Sequence, residues 1–299
     1  MSEQNSKPST KRELQKASTL ASYRSRVIAV LEYMWENIDG DIDVNHLADV
    51  AHFSPYHFHR IYREMMHETV YQTVRRLRLH YAARLLANGE KTIESIAKLS
   101  NYSSVEAFTR AFTAAYEDTP SRYRKRQQKY QSQLDLPANK EYPMSYEVKI
   151  CDVPKISLAG LFHQGDYMGI GAAFEKLMVN ASVKGVVGPA TRSFGVYYDD
   201  PATVKTEELR SFAAVTANQQ QAESASLEYS TVGGGRHATL TFQGPYAELE
   251  PVYDWFYGKW LPNSGEEMAD APPFEEYLNN PRDVPANELM TIIYLPLKN

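Results

Sequence analysis

Leu47-Ala48, Ser54-Pro55, Phe58-His59-Arg60 and Tyr62-Arg63 are answered about one-sixth of the chain later by Ile96-Ala97, Ser103, Phe108-Thr109-Arg110 and Phe112. Each stretch reads as a short apolar helix, a turn, and a second helix carrying Phe-x-Arg. A helix pair of this kind places its second helix in the major groove of DNA. Two copies separated by a long helix suit successive grooves about 34 Å apart on one face of a duplex. The pattern predicts an all-α double helix-turn-helix region, with double-stranded DNA as its partner and gene regulation as its role.

The flanking sequence supplies the frame. Residues 1–22 are polar and are expected to form a disordered N-terminal tail. Val27, Ile28, Leu31, Met34 and Trp35 recur at helical spacing over 23–37, and Asp39-Gly40 stops that helix. Asp43 is the expected N-cap of a helix over 44–51. Ser54 caps the next, with Pro55 at its first position. A long helix over 70–87 carries Val70, Val74, Leu77, Tyr81 and Leu85 as an apolar stripe, with Arg75, Arg76, Arg78 and Arg84 largely off it. Asn88-Gly89 ends it. Thr92 opens the second unit, and Ser103-Ser104-Val105-Glu106 has the form of a capping box. Thr119-Pro120 starts a terminal helix running into Arg122, Arg124, Lys125, Arg126 and Lys129. The DNA-binding region is thus expected over 23–130, followed by a polar, proline-containing linker over 131–144.

Within the first unit, Pro55, Tyr56, His57, His59, Arg60 and Arg63 are expected to face DNA, while Phe58, Ile61 and Tyr62 pack inward. In the second, Ser104, Val105, Glu106, Thr109 and Arg110 face outward, and Ala107, Phe108, Ala111 and Phe112 inward. Arginine pairs with guanine or a phosphate, and Thr, Val and Pro meet a thymine methyl. A lone exposed arginine is ordinary. Arg60 and Arg110 gain weight because they occupy the same place in duplicated units.

The totals agree with two domains in 299 residues. Apolar residues make up 43% of the chain and aromatic ones 12%, enough for packed cores. One cysteine, Cys151, excludes an internal disulfide framework and fits a reducing cytoplasm. Neither a signal-peptide core nor a run of about 18 apolar residues is present, so membrane spanning and secretion are not expected. Residues 1–130 hold 20 basic and 15 acidic side chains, whereas 131–299 hold 12 and 22. A basic half beside an acidic half points to a polyanion for the first and a cation for the second, against plain scatter of charge between domains.

Residues 145–299 change to alternating strands with two amphipathic helices, near 169–183 and 247–260. A second repeat lies here. Phe194-Gly195-Val196-Tyr197-Tyr198-Asp199-Asp200-Pro201 matches Phe274-Glu275-Glu276-Tyr277-Leu278-Asn279-Asn280-Pro281, and Glu208-Leu209 matches Glu288-Leu289 at the same offset. Gly165-Asp166-Tyr167 is echoed by Gly244-Pro245-Tyr246. These halves predict a pseudo-twofold α+β domain. On a strand, Glu275 and Tyr277 share one face, and Phe274 and Glu276 the other. The repeat sets Gly195 against Glu275 and Tyr197 against Tyr277. A central cleft would then hold two tyrosines and one carboxylate, a cation site by charge and cation–π attraction. Glu275, Tyr277, Tyr197, Tyr167 and Trp255 are the candidate effector residues, with Phe162 and Trp260 as further aromatic candidates. Alternation leaves open whether Glu275 or Glu276 faces the cleft, and whether the tyrosines are simply core.

Residues 24–126 resemble the DNA-binding domain of AraC/XylS-type transcription regulators. The resemblance rests on Leu47-Ala48, Ser54-Pro55, Ile96-Ala97, Phe108-Thr109-Arg110-Ala111-Phe112 and Thr119-Pro120-Ser121-Arg122-Tyr123-Arg124. Asn101-Tyr102 stands where that family usually has Gly-Phe, so Asn101 is expected to take the turn conformation that asparagine tolerates. Residues 145–297 resemble the GyrI-like effector-binding domain, through Gly244-Pro245-Tyr246, the stretch from Phe274 to Arg282, Glu288-Leu289 and Ile293-Tyr294-Leu295-Pro296. The domain order is similar to that of Rob-type regulators. The resemblance implies a cleft for aromatic, often cationic, small molecules and contact with RNA polymerase. The spacing of the two units lets a monomer bind an asymmetric site, and a monomer or weak homodimer at the cytoplasmic nucleoid is expected. Some proteins of the second fold are described as hydrolases. An enzyme of that kind would use Glu275 as general base and Tyr277 as donor. Fold analogy does not supply chemistry, and a ligand-responsive regulator is the leading expectation.

Other chemistry is set aside. His52, His57 and His59 cluster without a Cys or carboxylate at metal-ligand spacing, so no metal and no cofactor is expected. Gly233-Gly234-Gly235 lacks the Lys-Ser/Thr of a phosphate loop and reads as a tight hairpin turn. No nucleophile-elbow motif occurs.

Overall fold

In the computed structural model, residues 11–87, 89, 91–134, 145–201 and 203–299 are described. The first helix, α1 (Lys11–Glu36), begins well before the position expected. Residues 11–22, assigned from sequence to a disordered tail, are helical because Lys, Glu, Gln, Ala and Leu all favour helix. Residues 1–10 of that tail lie outside the described residues. α2 (Val44–Val50) starts at Asp43, whose carboxylate accepts from Asn45 N at 3.0 Å. α3 (Pro55–Met66) starts at Ser54, whose hydroxyl accepts from His57 N at 3.4 Å. α4 (Val70–Ala87), α5 (Ile93–Leu99, capped by Thr92), α6 (Val105–Tyr116) and α7 (Pro120–Leu134) complete the helical region. α7 runs into the stretch expected as linker. Residues 135–144 of that linker lie outside the described residues.

The two helix-turn-helix units repeat in backbone as well as in sequence. His52 (φ 51°) and Asn101 (φ 57°) occupy the left-handed region in the two turns, and His67 (φ 56°) and Glu117 (φ 51°) occupy it after α3 and α6. Asn101 takes the conformation expected of it, and its amide donates to Gly40 O and Asp41 Oδ1 at 3.0 Å each. The second turn is one residue longer than the first. α6 is therefore capped by Ser104, which accepts from Ala107 N at 3.1 Å, and the capping box expected from Ser103 does not form as such.

Each unit has its own core. Val27, Leu31, Met34, Leu47, Phe58 and Tyr62 centre the first; Ile96, Phe108, Phe112, Tyr116 and Tyr123 centre the second. α4 enters both. Val70, Val74 and Leu77 join the first core, while Leu79, Ala82, Ala83 and Leu86 join the second. Expected stripe residues Tyr81 and Leu85 are only half-buried, because α4 turns a different face to each unit. One rigid helix gripped by two cores fixes the spacing of α3 and α6.

The remaining described residues form one eight-stranded antiparallel sheet and its helices. In chain order these are β1 (Val148–Val153), β2 (Ile156–Gln164), α8 (Gly171–Val183), β3 (Ser193–Tyr197), β4 (Arg210–Thr216), α9 (Gln219–Ala225), β5 (Glu228–Val232), β6 (Gly235–Gln243), α10 (Leu249–Trp255), β7 (Phe274–Tyr277) and β8 (Met290–Pro296). α10 continues as a wider π-turn over Phe256–Trp260, so the second expected helix is irregular at its end. The strands lie in the order β1-β6-β8-β7-β3-β4-β2-β5. β3 and β7 pair at the centre with Gly195 opposite Glu275, so a pseudo-twofold axis passes between them.

β1 and β2 are joined by only Pro154-Lys155 yet lie towards opposite ends of the sheet, which therefore curls back on itself. The same curl corrects the hairpin expected at Gly233-Gly234-Gly235. β5 pairs with β2 and β6 with β1 and β8, so the strands flanking these glycines do not pair with each other. Gly233 (φ 73°) instead lies against the β1–β2 connection, where an added Cβ would come within 2.4 Å of Pro154 O.

The helical and sheet regions touch along a broad seam. Val179 of α8 belongs to the first helical core, and Ala286 packs against the second. Lys176 Nζ donates to Glu32 Oε1 at 2.6 Å, Arg84 Nη1 to Asp166 Oδ2 at 2.5 Å, and His80 Nε2 lies 3.0 Å from Met168 O. Among the described residues, no helix is long and apolar enough to cross a membrane.

Candidate functional site

Two sites emerge, one in each region. On α3, Pro55, His57, His59, Arg60 and Arg63 are exposed, and Phe58 and Tyr62 are fully buried. The Tyr56 side chain lies outside the described residues. Ser54 Oγ and His57 Nδ1 are 3.0 Å apart, which holds the first turn of the helix. On α6, Ser104, Glu106 and Arg110 are exposed and Val105 and Thr109 half-buried. Val105 also packs against the second core, so part of its surface is spent inward. Hydrogen bonds from its own backbone and from Ser104 hold the Glu106 carboxyl below the usual range. An ionised acid there would repel phosphate and suits a cytosine amino group.

One residue of this face was missed. Tyr71, in the first turn of α4, is 64% exposed, and its ring stacks on His59 at 6.1 Å. No sequence signal links positions 59 and 71; only the angle between α3 and α4 brings them together.

The second site centres on Glu275. Its side chain is 2% exposed on the sheet face covered by α8 and α10. Tyr253 Oη donates to Glu275 Oε1 at 2.9 Å, and Oε2 is buried without a hydrogen-bond partner of good geometry. Burial drives the Glu275 pKa up to about 7, against the opposing pull of the Tyr277, Tyr253 and Tyr197 hydroxyls. Tyr197 and Tyr277, from the two central strands, meet hydroxyl to hydroxyl at 2.6 Å. Tyr167 stands edge-on to Tyr197 at 4.8 Å, and Tyr246 edge-on to Tyr277 at 5.3 Å, so the pseudo-twofold repeats the aromatic pairs. Phe174 of α8 closes against Tyr277 at 5.4 Å.

Gly195 is what lets the tyrosines meet. A Cβ there would lie 2.5 Å from Tyr277 Oη and 3.1 Å from Tyr197 Oη. The same strand position therefore carries a carboxylate in one half and open space for hydroxyls in the other.

Glu276 belongs elsewhere. It takes two hydrogen bonds of 2.6 Å from Arg192 and one of 2.9 Å from Tyr294 Oη, on the opposite face of β7. Glu275, and not Glu276, thus shares its face of β7 with the tyrosine cluster. The structure brings Glu275, Tyr277, Tyr197 and Tyr167 together, and adds Tyr253, Tyr246 and Phe174. Trp255 is a correction. It is buried in the core around Leu240, Val252 and Ile293, against Tyr146 and Phe256, and makes no ring contact with the tyrosines beside Glu275. Two residues along a helix turn the side chain by about 200°, so Tyr253 and Trp255 cannot share a face. Phe162 also lies away from the cluster, 63% exposed against Tyr198 and Phe212.

Among the described residues, no group of three His, Cys, Asp or Glu is placed to hold a metal ion. The chemistry on offer is that of a buried carboxylate near its neutral point, ringed by tyrosine hydroxyls and aromatic faces. Such a group accepts a cation or a proton.

A family model described as GyrI-like small molecule binding domain matches residues 146–298, and one described as helix-turn-helix domain matches residues 47–126. The probable transcriptional regulator YgiV of Escherichia coli K12 is 28% identical over 157 residues, covering 52% of this chain and 98% of its own length. The regulatory protein SoxS of Salmonella typhimurium is 30% identical over 105 residues, covering 35% and 98%. Among solved structures, the EcmrR C-terminal domain aligns with a TM-score of 0.41 at 16% identity, over 52% of this chain and 99% of that one.

Proposed function

We propose, for a chain that belongs to the GyrI-like small-molecule-binding family and carries an AraC-type helix-turn-helix domain, that a small aromatic cation at Glu275 governs how α3 and α6 engage DNA. The chain is a DNA-binding transcription regulator with a small-molecule-binding domain. In this reading Pro55, Tyr56, His57, His59, Arg60 and Arg63 address one half-site. Ser104, Val105, Glu106, Thr109 and Arg110 address the next. The two domains divide within 131–144. The regulator works in the cytoplasm at the nucleoid, as a monomer or weak homodimer, and acts through RNA polymerase.

The observation that carries the effector reading is Glu275 itself. A carboxylate this buried, with tyrosine hydroxyls and no cation around it among the described residues, is costly to ionise alone and is relieved by a cation. Surrounding tyrosine faces add cation–π attraction. Calorimetric titration with tetraphenylphosphonium tests it. Saturable binding that falls at least tenfold in Glu275→Gln is expected; equal binding by both proteins would remove the effector reading. For the helical region, a gel shift on the chain's own promoter DNA under a salt titration is the direct measurement. Affinity blind to DNA sequence, or indifferent to salt, would remove specific recognition.

The Glu275 pKa of about 7 also suits a general base, which favours a hydrolase of reactive small molecules as the second reading. Turnover of a bound electrophile that disappears in Glu275→Gln would select it.

A further inference from the structure

The strand that carries Glu275 leads directly into a loop that reaches both helix-turn-helix units. Arg282 lies in that loop. Its Nη1 donates to Met66 O, the last residue of α3, at 2.8 Å. Its Nη2 donates to Glu175 Oε2 on α8, and its Nε lies 3.4 Å from Glu68 Oε1. Arg76 of α4 bridges the same two acids, at 2.6 Å to Glu68 and 2.7 Å to Glu175.

The network continues into the recognition helix. Thr73 Oγ1 donates to Glu68 at 2.9 Å and accepts from Tyr62 Oη at 2.9 Å. Tyr62 is a fully buried residue of α3. A continuous set of hydrogen bonds thus runs from Arg282 through Glu175, Arg76, Glu68 and Thr73 to Tyr62. Two arginines balance two carboxylates, and Glu175 is 6% exposed, so loss of one partner would strand a buried charge.

Five residues on, the same loop touches the other unit. Asn287 Nδ2 donates to Glu117 Oε2 at 2.6 Å, and Glu117 is the left-handed residue that ends α6. Neighbouring Ala286 packs against the second core. The loop itself is stiff. Asn279 Oδ1 accepts from Met290 N, Asn280 Oδ1 from Arg282 N, and Asn280 O from Asp283 N, each at 2.9 Å. In the repeat, the sequence position matching Arg282 is Ala202, so the arginine belongs to the half that carries Glu275.

We propose that Arg282, with Glu175 and Asn287, ties the Glu275 strand to the C-terminal ends of α3 and α6, so that a ligand at Glu275 changes how both recognition helices are held. This rests on Glu275 being the ligand carboxylate. Coupling of this kind requires contacts that differ between the free and occupied states, and the clamp is where they would differ.

Hydrogen–deuterium exchange of the full chain, read by mass spectrometry, tests it with tetraphenylphosphonium as probe. In the wild type, exchange at residues 63–70 and 113–120 should change at least twofold when the probe saturates. Arg282→Gln should cancel the response at 63–70, and Asn287→Ala the response at 113–120. Both variants should bind the probe within twofold of wild type by calorimetry. Should Arg282→Gln fail to fold, Arg282→Lys keeps the charge but gives up the multi-sided guanidinium contact, and should blunt the same response.

Responses that persist in the variants, or a wild type that binds the probe without responding, would overturn the clamp. Failure of the effector reading looks different: no probe heat at all. The ligand-free chain then decides. Arg282→Gln must speed exchange at 63–70 and at 274–277 together, and a change confined to one side rejects the tie.

Discussion

The helical region and the sheet region are both duplications, and they keep different things. The two helix-turn-helix units preserve their frame: left-handed turns at His52 and Asn101, caps at Ser54 and Ser104, buried rings at Phe58 and Phe108. What varies is the outward surface, with His59-Arg60 in one unit and Thr109-Arg110 in the other. The two sheet halves preserve their walls, the Tyr167–Tyr197 and Tyr246–Tyr277 pairs. What varies is the centre, Gly195 against Glu275. A repeat that reads successive grooves needs equal scaffolds and unlike surfaces. A repeat that encloses one charged group needs like walls and an unequal middle.

The strongest way to break this comparison is to make the sheet centre symmetric. Gly195→Glu would push a Cβ into Tyr277 Oη, 2.5 Å away, and bury a second unpaired carboxylate beside Glu275. A stability loss of about 3–5 kcal/mol or more is expected, read as a fall in the urea midpoint. A variant as stable as wild type would mean the two halves tolerate symmetry.

Neutralising the centre is the next largest effect. A carboxyl whose pKa rises on folding holds its proton more tightly in the folded state. Stability is therefore lost as pH climbs from the ordinary carboxylate range toward about 7. Wild type should lose roughly 1–3 kcal/mol between pH 4.5 and 8 through this group, and Glu275→Gln should lose none of that share. Probe affinity should rise up to about tenfold per pH unit below 7 and level off above it. Flat affinity across that window would separate cation binding from the carboxylate.

Arg60→Ala and Arg110→Ala sharpen the helical side. Each should cost about 1–3 kcal/mol of specific DNA affinity and relax preference at a different half-site, measured by competition gel shift. Identical changes in preference from both would mean the outward surfaces read the same sequence.

The smallest effect compares the two turns. His52→Gly relieves a left-handed side chain and should stabilise by about 0.5–1 kcal/mol. Asn101→Gly gains the same relief but gives up the amide bonds to Gly40 and Asp41, and should come out near zero in thermal melts.

The local parts of this fold were legible in the sequence, and the reason is range. Caps at Asp43, Ser54 and Thr92, and the αL turn at Asn101, depend on residues a few positions apart. The repeat set Gly195 against Glu275, which pair across the strands, but also Tyr197 against Tyr277, which do not: β3 and β7 run antiparallel, so Tyr277 lies opposite Ser193. Trp255 was misplaced because strand and helix phases are hard to join across a loop, and its neighbour Tyr253 took the place instead. The hairpin at Gly233 failed because a turn signal gives the bend and not the partner strand. The clamp of Arg76, Glu175 and Arg282 was out of reach altogether. Its members stand 99 and 107 positions apart, and each alone is an ordinary charge.

The crossing connections at Pro154-Lys155 and Gly233-Gly234 have one more consequence. They send β1 to pair with β6, and β5 to pair with β2, so each half lends its leading strand to the other. Val148 and Leu240 meet across ~90 residues, a loop whose closure slows folding far more than it weakens the product. Neither half can complete its sheet alone. The pair is interlocked, and a single half, freed from its twin, would have to borrow its missing edge from a second copy of itself.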